Sequence, residues 1–361
     1  MKERRVIISG GGTGGHLYPA LVLGRKLRDM DPGLALTFVG SGRGAEREIM
    51  AREAVRYVPM RIEGLKGRGR RALKAAALLP GAFLKSLALL VRLRPRLVVG
   101  VGGYSSGPIV LLAAWTAVPT LILEQNVRPG FTNRLLIRWV KKAAVAFEAS
   151  LPCFRGKGVH LGNPVRPEFA ALRPKARGGR LSLLVFGGSQ GSRVLNRAVA
   201  AALPLLAQAK ERLTIAHQTG PADLDAVRAG YAAQGFDRAE VAAFFHDMPA
   251  RFGAADLVLC RAGATSCAEL IAARKASILV PFAQAADDHQ AANAAALQDV
   301  GGADVILESE LAADRLAARI LDFLARPERI TDMEDRLAPL KKDSAADDIA
   351  RLCFDLMEAR R

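Results

Sequence analysis

The chain has 361 residues, of which 50% are hydrophobic, 24% charged and 6% aromatic, and its mean hydropathy is +0.14. This composition excludes a disordered, collagen-like or coiled-coil protein, and the length predicts two domains with separate cores. The formal charge of +17 is unevenly distributed: residues 1–160 carry 27 Lys and Arg against 9 Asp and Glu, while residues 161–361 carry 25 against 26. The basic N-terminal half therefore predicts an anionic partner, either a nucleic acid or a membrane surface.

Short apolar runs alternate with longer helical patterns along the whole chain. The runs predicted as strands are Arg5–Ser9, Ala35–Val39, Leu97–Val101, Thr120–Leu123, Ala143–Phe147, Leu181–Phe186, Leu213–His217, Val241–Phe244, Leu257–Cys260, Ser277–Val280 and Asp304–Leu307. Strands separated by helical sequence indicate βαβ units, and continuous apolar strands indicate parallel sheets covered by helices on both faces. The uncharged stretch from Leu97 to Leu123 is interrupted by four glycines and two prolines, so we expect strands and a helix there and no membrane span.

A strand followed by a glycine-rich turn and a helix occurs twice, at Gly10–His16 and at Gly187–Ser192. This repeat predicts an α/β protein with two doubly wound domains, each opening with a phosphate-type loop. The segment Gly162–Arg180 is rich in Pro, Gly and Arg and is interpreted as the interdomain linker. The domains are then residues 1–162 and residues 163–344.

The end of the chain has the pattern of one more helix. Ile349, Leu352 and Leu356 recur at the spacing of one helical face, which predicts a terminal amphipathic helix. The four cysteines form no Cys-x-x-Cys pair, which favours free thiols in a reducing cytoplasm over disulfides or a metal site. The N-terminal apolar run is too short for a signal peptide.

The first glycine loop could belong to a dinucleotide site, because Gly10, Gly12 and Gly15 match G-x-G-x-x-G. No acidic residue follows the second predicted strand before Glu46, however, and this disfavours a nicotinamide cofactor. Glycine loops of this kind also suit an anion held by backbone N–H groups at a helix N-terminus, or a turn that only packs helix on strand. His16 in the first helical turn is either a base for an attacking hydroxyl or a turn residue without a chemical role.

In the second half, Glu269 lies a few residues after a Gly-Ala-Thr-Ser helix start. The helix start offers N–H groups and hydroxyls to phosphate, and a carboxylate so placed can hold two ribose hydroxyls. The alternative for Glu269 is an exposed charge on the helix surface.

Seven motifs carry a resemblance over nearly the whole chain. In chain order they are GGTGGHLYPA, GVGGYSSGP, EQN, GNPVR, GGSQGS, RAGATSCAEL and PFAQAADDHQAANA. This series resembles the family of bacterial peptidoglycan N-acetylglucosaminyltransferases that convert lipid I to lipid II. The resemblance implies a GT-B fold of two Rossmann-like domains facing a cleft, with the terminal helix, residues 345–361, packed back on the first domain. It also implies inverting transfer of GlcNAc from UDP-GlcNAc to undecaprenyl-diphosphate-MurNAc-pentapeptide, with no metal and no further cofactor.

The same resemblance implies roles for individual residues. Glu269 would hold the ribose hydroxyls and Phe245 would flank the uracil, although Phe245 and His246 stand where the family often has an aliphatic residue and an acid. Ser189 and one helix start would contact the diphosphate; the helix-start residues are Ala264, Thr265, Ser266, Cys267 and Ala268. Gln290 and Asn126 would bind the GlcNAc hydroxyls, with Arg166 near the donor.

On the first domain, Thr13, Gly14 and Gly15 would line the domain's side of the cleft. His16 is the favoured general base, and Glu124 is the second candidate. A UDP-GlcNAc 2-epimerase-type isomerase, which shares this architecture, is the alternative enzyme.

The densest positive charge lies in Arg61–Arg96, which has ten Lys and Arg against Glu63 alone, interleaved with leucines. This pattern predicts a peripheral site on the anionic inner leaflet, at the cytoplasmic face of the inner membrane; the alternative is a helix whose leucines are core. A nucleic-acid partner is disfavoured, because only 20 residues are aromatic and no DNA- or RNA-binding signature is present.

Overall fold

In the computed structural model the chain forms two compact units, each built on its own sheet. The structure describes residues 4–11, 14–42, 44–53, 55–60, 62, 70–175 and 178–359. Unit 1 comprises Met1–Arg166 and Lys342–Arg361, and unit 2 comprises Pro167–Lys341. The divisions inferred from the sequence were after residues 162 and 344.

The sheet of unit 1 is entirely parallel, in the order β3-β2-β1-β4-β5-β6-β7. Its strands are β1 (Arg5–Ser9), β2 (Ala35–Gly40), β3 (Arg56–Pro59), β4 (Leu97–Gly100), β5 (Thr120–Glu124), β6 (Lys142–Val145) and β7 (Gly158–His160). Val6 and Ile8 pack into one hydrophobic cluster, and Ile7 packs into another. Alternate side chains of β1 therefore enter two cores, as a parallel sheet covered on both faces requires.

In the first segment of unit 1, residues 1–166, the α-helices are α1 (Gly14–Met30), α2 (Gly44–Arg52), α3 (Arg70–Leu93), α4 (Gly107–Trp115) and α5 (Phe131–Leu136). In α3, Ala82, Ser86 and Leu90 recur every four residues and are buried. This spacing places one face of α3 against the unit and leaves the opposite face outward.

The sheet of unit 2 is also parallel, in the order β10-β9-β8-β11-β12-β13. Its strands are β8 (Leu181–Phe186), β9 (Leu213–Gln218), β10 (Glu240–Ala242), β11 (Leu257–Cys260), β12 (Ser277–Leu279) and β13 (Ala303–Val305). Its helices are α6 (Pro167–Ala170), α7 (Arg193–Leu206), α8 (Leu224–Ala233), α9 (Met248–Ala254), α10 (Ala264–Ala273), α11 (His289–Asp299), α12 (Ala313–Ala325) and α13 (Glu328–Leu337). The predicted α/β class with two doubly wound parallel sheets is confirmed.

The predicted terminal helix is α14 (Ala345–Glu358), and it belongs to unit 1. Ile349, Cys353 and Leu356 are buried in the same cluster as Val6 and Ile8 of β1. The apolar face inferred from the sequence is thus the face that packs, and α14 lies against α1.

Two strands were missed by the sequence analysis, β3 and β7. Both are at the edges of the sheet, both are short, and their residues are half-buried or exposed. Such strands lack the continuous apolar run that marks a buried strand.

The predicted linker Gly162–Arg180 was too long. Phe169 of α6 is fully buried and meets the ring of Phe252 edge-on at 5.0 Å, so this turn is part of the core of unit 2. The high content of Pro, Gly and Arg led to the prediction of a linker here, although the segment contains the buried Phe169.

The uncharged stretch forms β4, a glycine loop, α4 and β5, as expected from its glycines and prolines. Within the described ranges, no helix has both the length and the apolar character needed to cross a bilayer.

Candidate functional site

Both sheets reverse their strand order at a single point, between β1 and β4 in unit 1 and between β8 and β11 in unit 2. In open parallel sheets, ligands bind beyond the carboxyl ends of the strands at this point. The two glycine-rich turns follow β1 and β8, so each lies where a ligand site is expected.

In unit 1 the loop after β1 is in close contact with the loop after β4. A Cβ added to Gly103 would lie 2.6 Å from the carbonyl oxygen of Gly11, too close for any side chain. Gly102 and Gly103 also have φ values of +92° and +79°, which favour glycine. These glycines allow the two loops to pack backbone against backbone.

His16 lies in the first turn of α1, as predicted, and its side chain is half-buried. Its ring packs on the second loop, since a Cβ on Gly102 would lie 2.8 Å from both Cδ2 and Nε2. Gly14 and Gly15 form the start of the same helix, whereas Thr13 lies outside the described residues. The imidazole is therefore held at the switch point of the sheet, where it can act as a base; that role stays a prediction.

Glu46 is buried beside the first glycine loop. Its carboxylate accepts hydrogen bonds from the backbone N–H of Ser41, at 3.2 Å to each oxygen, and packs against Gly11. Burial, together with the negative charge of Glu46, raises the pKa of the neighbouring Tyr57 hydroxyl to about 12. Because Glu46 is engaged within the protein, it is poorly placed to bind the ribose of a dinucleotide.

The carboxylate of Glu124 is surrounded by N–H donors. One oxygen accepts from the backbone and the side chain of Asn126, both at 3.0 Å, and the other accepts from Gly130 N at 2.9 Å and Asn133 Nδ2 at 2.8 Å. Burial raises the pKa of Glu124, and the four hydrogen bonds oppose that rise. The arrangement fixes the side chain of Asn126 and the start of α5, so it favours a positioning role over that of a base.

Arg166, at the end of unit 1, is half-buried beside α1. Its guanidinium carbon lies 4.8 Å from the ring centroid of Tyr18, two residues beyond His16 in α1. A cation–π contact of this kind ties the Gly-Asn-Pro-Val-Arg segment to the helix that carries the candidate base.

In unit 2, α10 begins directly after β11 at the switch point. Gly263 is its N-cap, so the first N–H groups of α10, at Ala264, Thr265 and Ser266, face the strand ends. The Cys267 side chain is fully buried, which limits any ligand contact to its backbone. Glu269 is 7% exposed, so the interpretation as a surface charge was wrong.

The Gly187–Ser192 loop is connected to the segment that follows β10 through the side chain of Gln218. Gln218 Nε2 donates to Gly188 O at 2.9 Å, and Gln218 Oε1 accepts from Phe245 N at 2.8 Å. Ser189, the predicted diphosphate contact, is exposed in this loop.

The Phe245 ring is less available than the sequence suggested. It is 4% exposed, and the Arg251 guanidinium carbon lies 4.4 Å from its centroid. Phe244, by contrast, is 41% exposed and meets the ring of His246 at 4.9 Å. The Phe245 ring is therefore covered, its backbone N–H is engaged by Gln218, and Phe244 is the accessible aromatic face.

Arg261 connects three segments of unit 2, those that follow β8, β12 and β13. Its Nε donates to Ser192 Oγ, the N-cap of α7, at 3.0 Å, and its Nη1 pairs with Glu308 at 2.6 Å. The same Nη1 donates to Pro281 O at 3.3 Å, near the turn where Gln290 Oε1 accepts from Phe282 N at 3.0 Å.

Sequence reasoning did not single out Gln218 or Arg261. Both follow the rule used for the other candidates, since each is a polar residue at the carboxyl end of a strand in the second sheet. The His-Gln-Thr-Gly run at the end of β9, residues 217–220, was the available signal.

Among the described residues, no group of three or more His, Cys, Asp and Glu is arranged to hold a metal ion. The four cysteines are free thiols. Burial raises the pKa of Cys267 to about 12 and also raises that of Cys260, so neither is a nucleophile at neutral pH.

Comparison with known proteins identifies both halves of the chain. Residues 6–145 match the glycosyltransferase family 28 N-terminal domain, and residues 182–350 match the family 28 C-terminal domain. A relative from Myxococcus xanthus is 45% identical over 357 residues, which cover 98% of this chain and 93% of the relative. It is named UDP-N-acetylglucosamine-N-acetylmuramyl-(pentapeptide) pyrophosphoryl-undecaprenol N-acetylglucosamine transferase.

Solved structures agree with this relationship. The crystal structure of Acinetobacter baumannii MurG superposes with a TM-score of 0.79 at 28% identity and covers 98% of this chain and 99% of that chain. A UDP-GlcNAc 2-epimerase from Neisseria meningitidis has a TM-score of 0.69 at 11% identity, covering 97% of this chain and 100% of that one, which shows a shared fold alone. The resemblance inferred from the seven motifs is confirmed, and the chain belongs to glycosyltransferase family 28, with the two domains of that family on a GT-B fold.

Proposed function

We propose that this chain transfers GlcNAc from UDP-GlcNAc to the C4 hydroxyl of MurNAc in undecaprenyl-diphosphate-MurNAc-pentapeptide, forming lipid II from lipid I. The observation that carries the proposal is the near full-length similarity to relatives named for this transfer. The positions of the candidate residues at two strand-order switch points support it.

The donor is assigned to unit 2. The N–H groups at the start of α10 and the Gly187–Ser192 loop would hold the diphosphate, as helix N-termini and glycine loops do. Glu269, further along α10, would accept hydrogen bonds from the ribose hydroxyls, and the Phe245 backbone would border the uracil. Gln290, whose amide oxygen is already engaged by Phe282 N, would direct its amide nitrogen to a sugar hydroxyl.

The acceptor is assigned to unit 1, where His16 would be the base. The acceptor hydroxyl oxygen attacks C1 of GlcNAc, the bond from C1 to the phosphate oxygen breaks, and UDP departs with its electron pair. The hydroxyl proton passes to the imidazole of His16. Negative charge that grows on UDP is met by the helix N-terminal N–H groups. Attack opposite the leaving group inverts the anomeric carbon.

Glu124 would support this reaction without taking the proton. Its four N–H donors stabilise a carboxylate and hold Asn126, which we assign to a GlcNAc hydroxyl. Burial raises the pKa of Glu124, but each carboxylate oxygen already accepts two of these hydrogen bonds, which leaves no acceptor position for the substrate hydroxyl.

We infer that unit 1 also meets the cytoplasmic face of the inner membrane, through α3 and its neighbours. Leu84, Leu87 and Val91 form an outward stripe on α3 and are 70%, 43% and 64% exposed. Trp115, at the end of α4, and Trp139, in the turn after α5, are exposed and meet edge-on at 5.8 Å, and α4 lies against α3. Exposed apolar and Trp side chains among basic residues suit an anionic lipid surface.

Part of the predicted basic segment Arg61–Arg96 lies outside the described residues, namely Arg61 and residues 63–69. Within α3, Leu90 is core, as the alternative interpretation predicted, whereas Leu84 and Leu87 are exposed and available to a lipid surface.

Acceptor dependence tests the assignment against the epimerase alternative. We expect UDP release from UDP-GlcNAc only when the lipid acceptor or a soluble analogue is present, since transfer needs a second substrate. Conversion of UDP-GlcNAc to its 2-epimer without acceptor would instead support the isomerase.

A further inference from the structure

We propose that Gln218 is a positioning residue that fixes the separation between the diphosphate loop and the uracil wall of the donor site. This inference rests on the proposed function, since the two elements it joins are those assigned to UDP. A fixed separation of these two elements favours a ligand that carries both a pyrimidine base and a diphosphate.

The geometry is a bridge made by a single amide. Gln218 is the last residue of β9 and is 1% exposed. Its Nε2 donates to Gly188 O at 2.9 Å in one loop, and its Oε1 accepts from Phe245 N at 2.8 Å in the other. One end of the bridge, Gly188, is next to Ser189, the predicted diphosphate contact. The other end, Phe245, is itself the predicted uracil contact.

The orientation of the amide follows from its partners. A backbone N–H can only donate and a carbonyl oxygen can only accept, so the oxygen must face Phe245 and the nitrogen must face Gly188. Glutamate has no N–H donor for Gly188 and asparagine is one methylene shorter. Glutamine is the side chain that satisfies both groups at this distance.

The end of β9, which carries Gln218, is held in place by backbone contacts on both sides. Thr219 N donates to Ala242 O and Gly220 N donates to Ala243 O, both at 3.0 Å, which continues the pairing toward the residues before Phe245. Gly191 of the diphosphate loop packs directly on the Thr219 backbone. The loop and the wall are thus anchored to one strand end, and Gln218 sets how far apart they stand.

The neighbouring residue provides an internal control. His217 faces the opposite side of the sheet, where its ring nitrogens contact Tyr231 Oη at 3.2 Å and Asn196 Oδ1 at 3.1 Å. Tyr231→Phe removes one buried hydrogen bond next to the bridge without touching Gly188 or Phe245. It reports the effect of a comparable loss in the core alone.

The experiment measures competition of UDP, uridine and pyrophosphate against a fluorescent UDP probe on the full chain. The variants are Gln218→Glu, which keeps the acceptor and loses the donor, Gln218→Met, which loses both at similar volume, and Tyr231→Phe. A ligand that spans both elements should lose more affinity than one that touches a single element. We expect both Gln218 variants to lower the affinity for UDP by about tenfold or more. The affinity for uridine or pyrophosphate should fall by less than about threefold.

In transfer assays the same two variants should raise the KM for UDP-GlcNAc with little change in kcat, while Tyr231→Phe should keep the native ratio of UDP to uridine affinity. The inference is overturned if the Gln218 variants lose affinity for UDP and uridine equally, or if both variants bind these ligands with native affinity. Either result leaves the proposed function intact. Failure of the native chain to bind UDP overturns both.

Discussion

The imidazole of His16 packs on the backbone of Gly102, so closely that a Cβ on this glycine would lie 2.8 Å from Cδ2 and Nε2 of the ring. His16 follows β1 and Gly102 follows β4, the two strands between which the sheet order reverses. A glycine in one loop is therefore required for the position of the candidate base in the other. This relationship lets the base be displaced without being removed.

Gly102→Ala should lower kcat by about a hundredfold, the lower end of what a positioned general base contributes. The new methyl group pushes the ring from its place, while the donor groups on unit 2 are unchanged, so binding of UDP should stay native. Steady-state transfer kinetics and UDP calorimetry measure the two effects.

The control for Gly102→Ala is Gly156→Ala in the same unit. Gly156 has a similar φ of +74°, but a Cβ there meets nothing within 4 Å. It reports the cost of a left-handed alanine alone. Native turnover of Gly102→Ala would remove His16 from the proposed role.

Glu269→Ala should raise the KM for UDP-GlcNAc by about tenfold or more with a smaller effect on kcat, because the lost ribose contacts are made in the ground state. Glu334→Ala is the matched control, since Glu334 is a buried glutamate of unit 2 on α13, outside the proposed site. An equal KM in both variants would contradict the assignment of Glu269.

Because His217 is buried, we expect the folded protein to lose stability in mild acid. Burial lowers its pKa from 6.5 to about 4, so below pH 6.5 the unfolded chain binds the proton more readily than the folded chain. The free energy of unfolding should fall by up to about 1.4 kcal/mol per pH unit as the pH drops from 6.5 toward 4. Urea unfolding across this range measures the slope.

In His217→Gln the side chain does not titrate, so the part of the slope due to His217 should disappear. The same slope in native protein and variant would show that other groups are responsible.

The exposed stripe of α3 should govern binding to lipid. Leu84→Ser together with Val91→Ser should weaken binding to vesicles of anionic lipid at low salt, because less apolar surface enters the interface. Val194→Ser, on unit 2 and 40% exposed, is the control and should bind as the native chain does. Moderate salt should release the native protein, and equal binding by all variants would contradict the membrane surface.

Much of the architecture could be predicted from local patterns. The paired glycine turns, the apolar strands and the spacing of Ile349, Leu352 and Leu356 are properties of single segments, and each identified its element. The edge strands β3 and β7 could not be found in this way, because their residues are only partly buried.

The candidate site divides along the same line. His16 and Glu269 stand at recognisable positions after glycine-rich turns and were singled out. The bridging role of Gln218 depends on Gly188 and Phe245, which are 30 and 27 residues away in the chain, and no local pattern shows this. Nor can the sequence decide which of two adjacent phenylalanines is covered, because an arginine six residues further on decides it.

The most direct test of the account follows labelled GlcNAc from UDP-GlcNAc in the presence of lipid I, with the native chain and with His16→Ala. We expect the native chain to form the labelled lipid-linked disaccharide and to release UDP in equal amount. We expect His16→Ala to lose turnover while binding UDP-GlcNAc almost as well as the native chain. Acceptor-independent conversion of UDP-GlcNAc by the native chain, with no label in the lipid, would contradict the account.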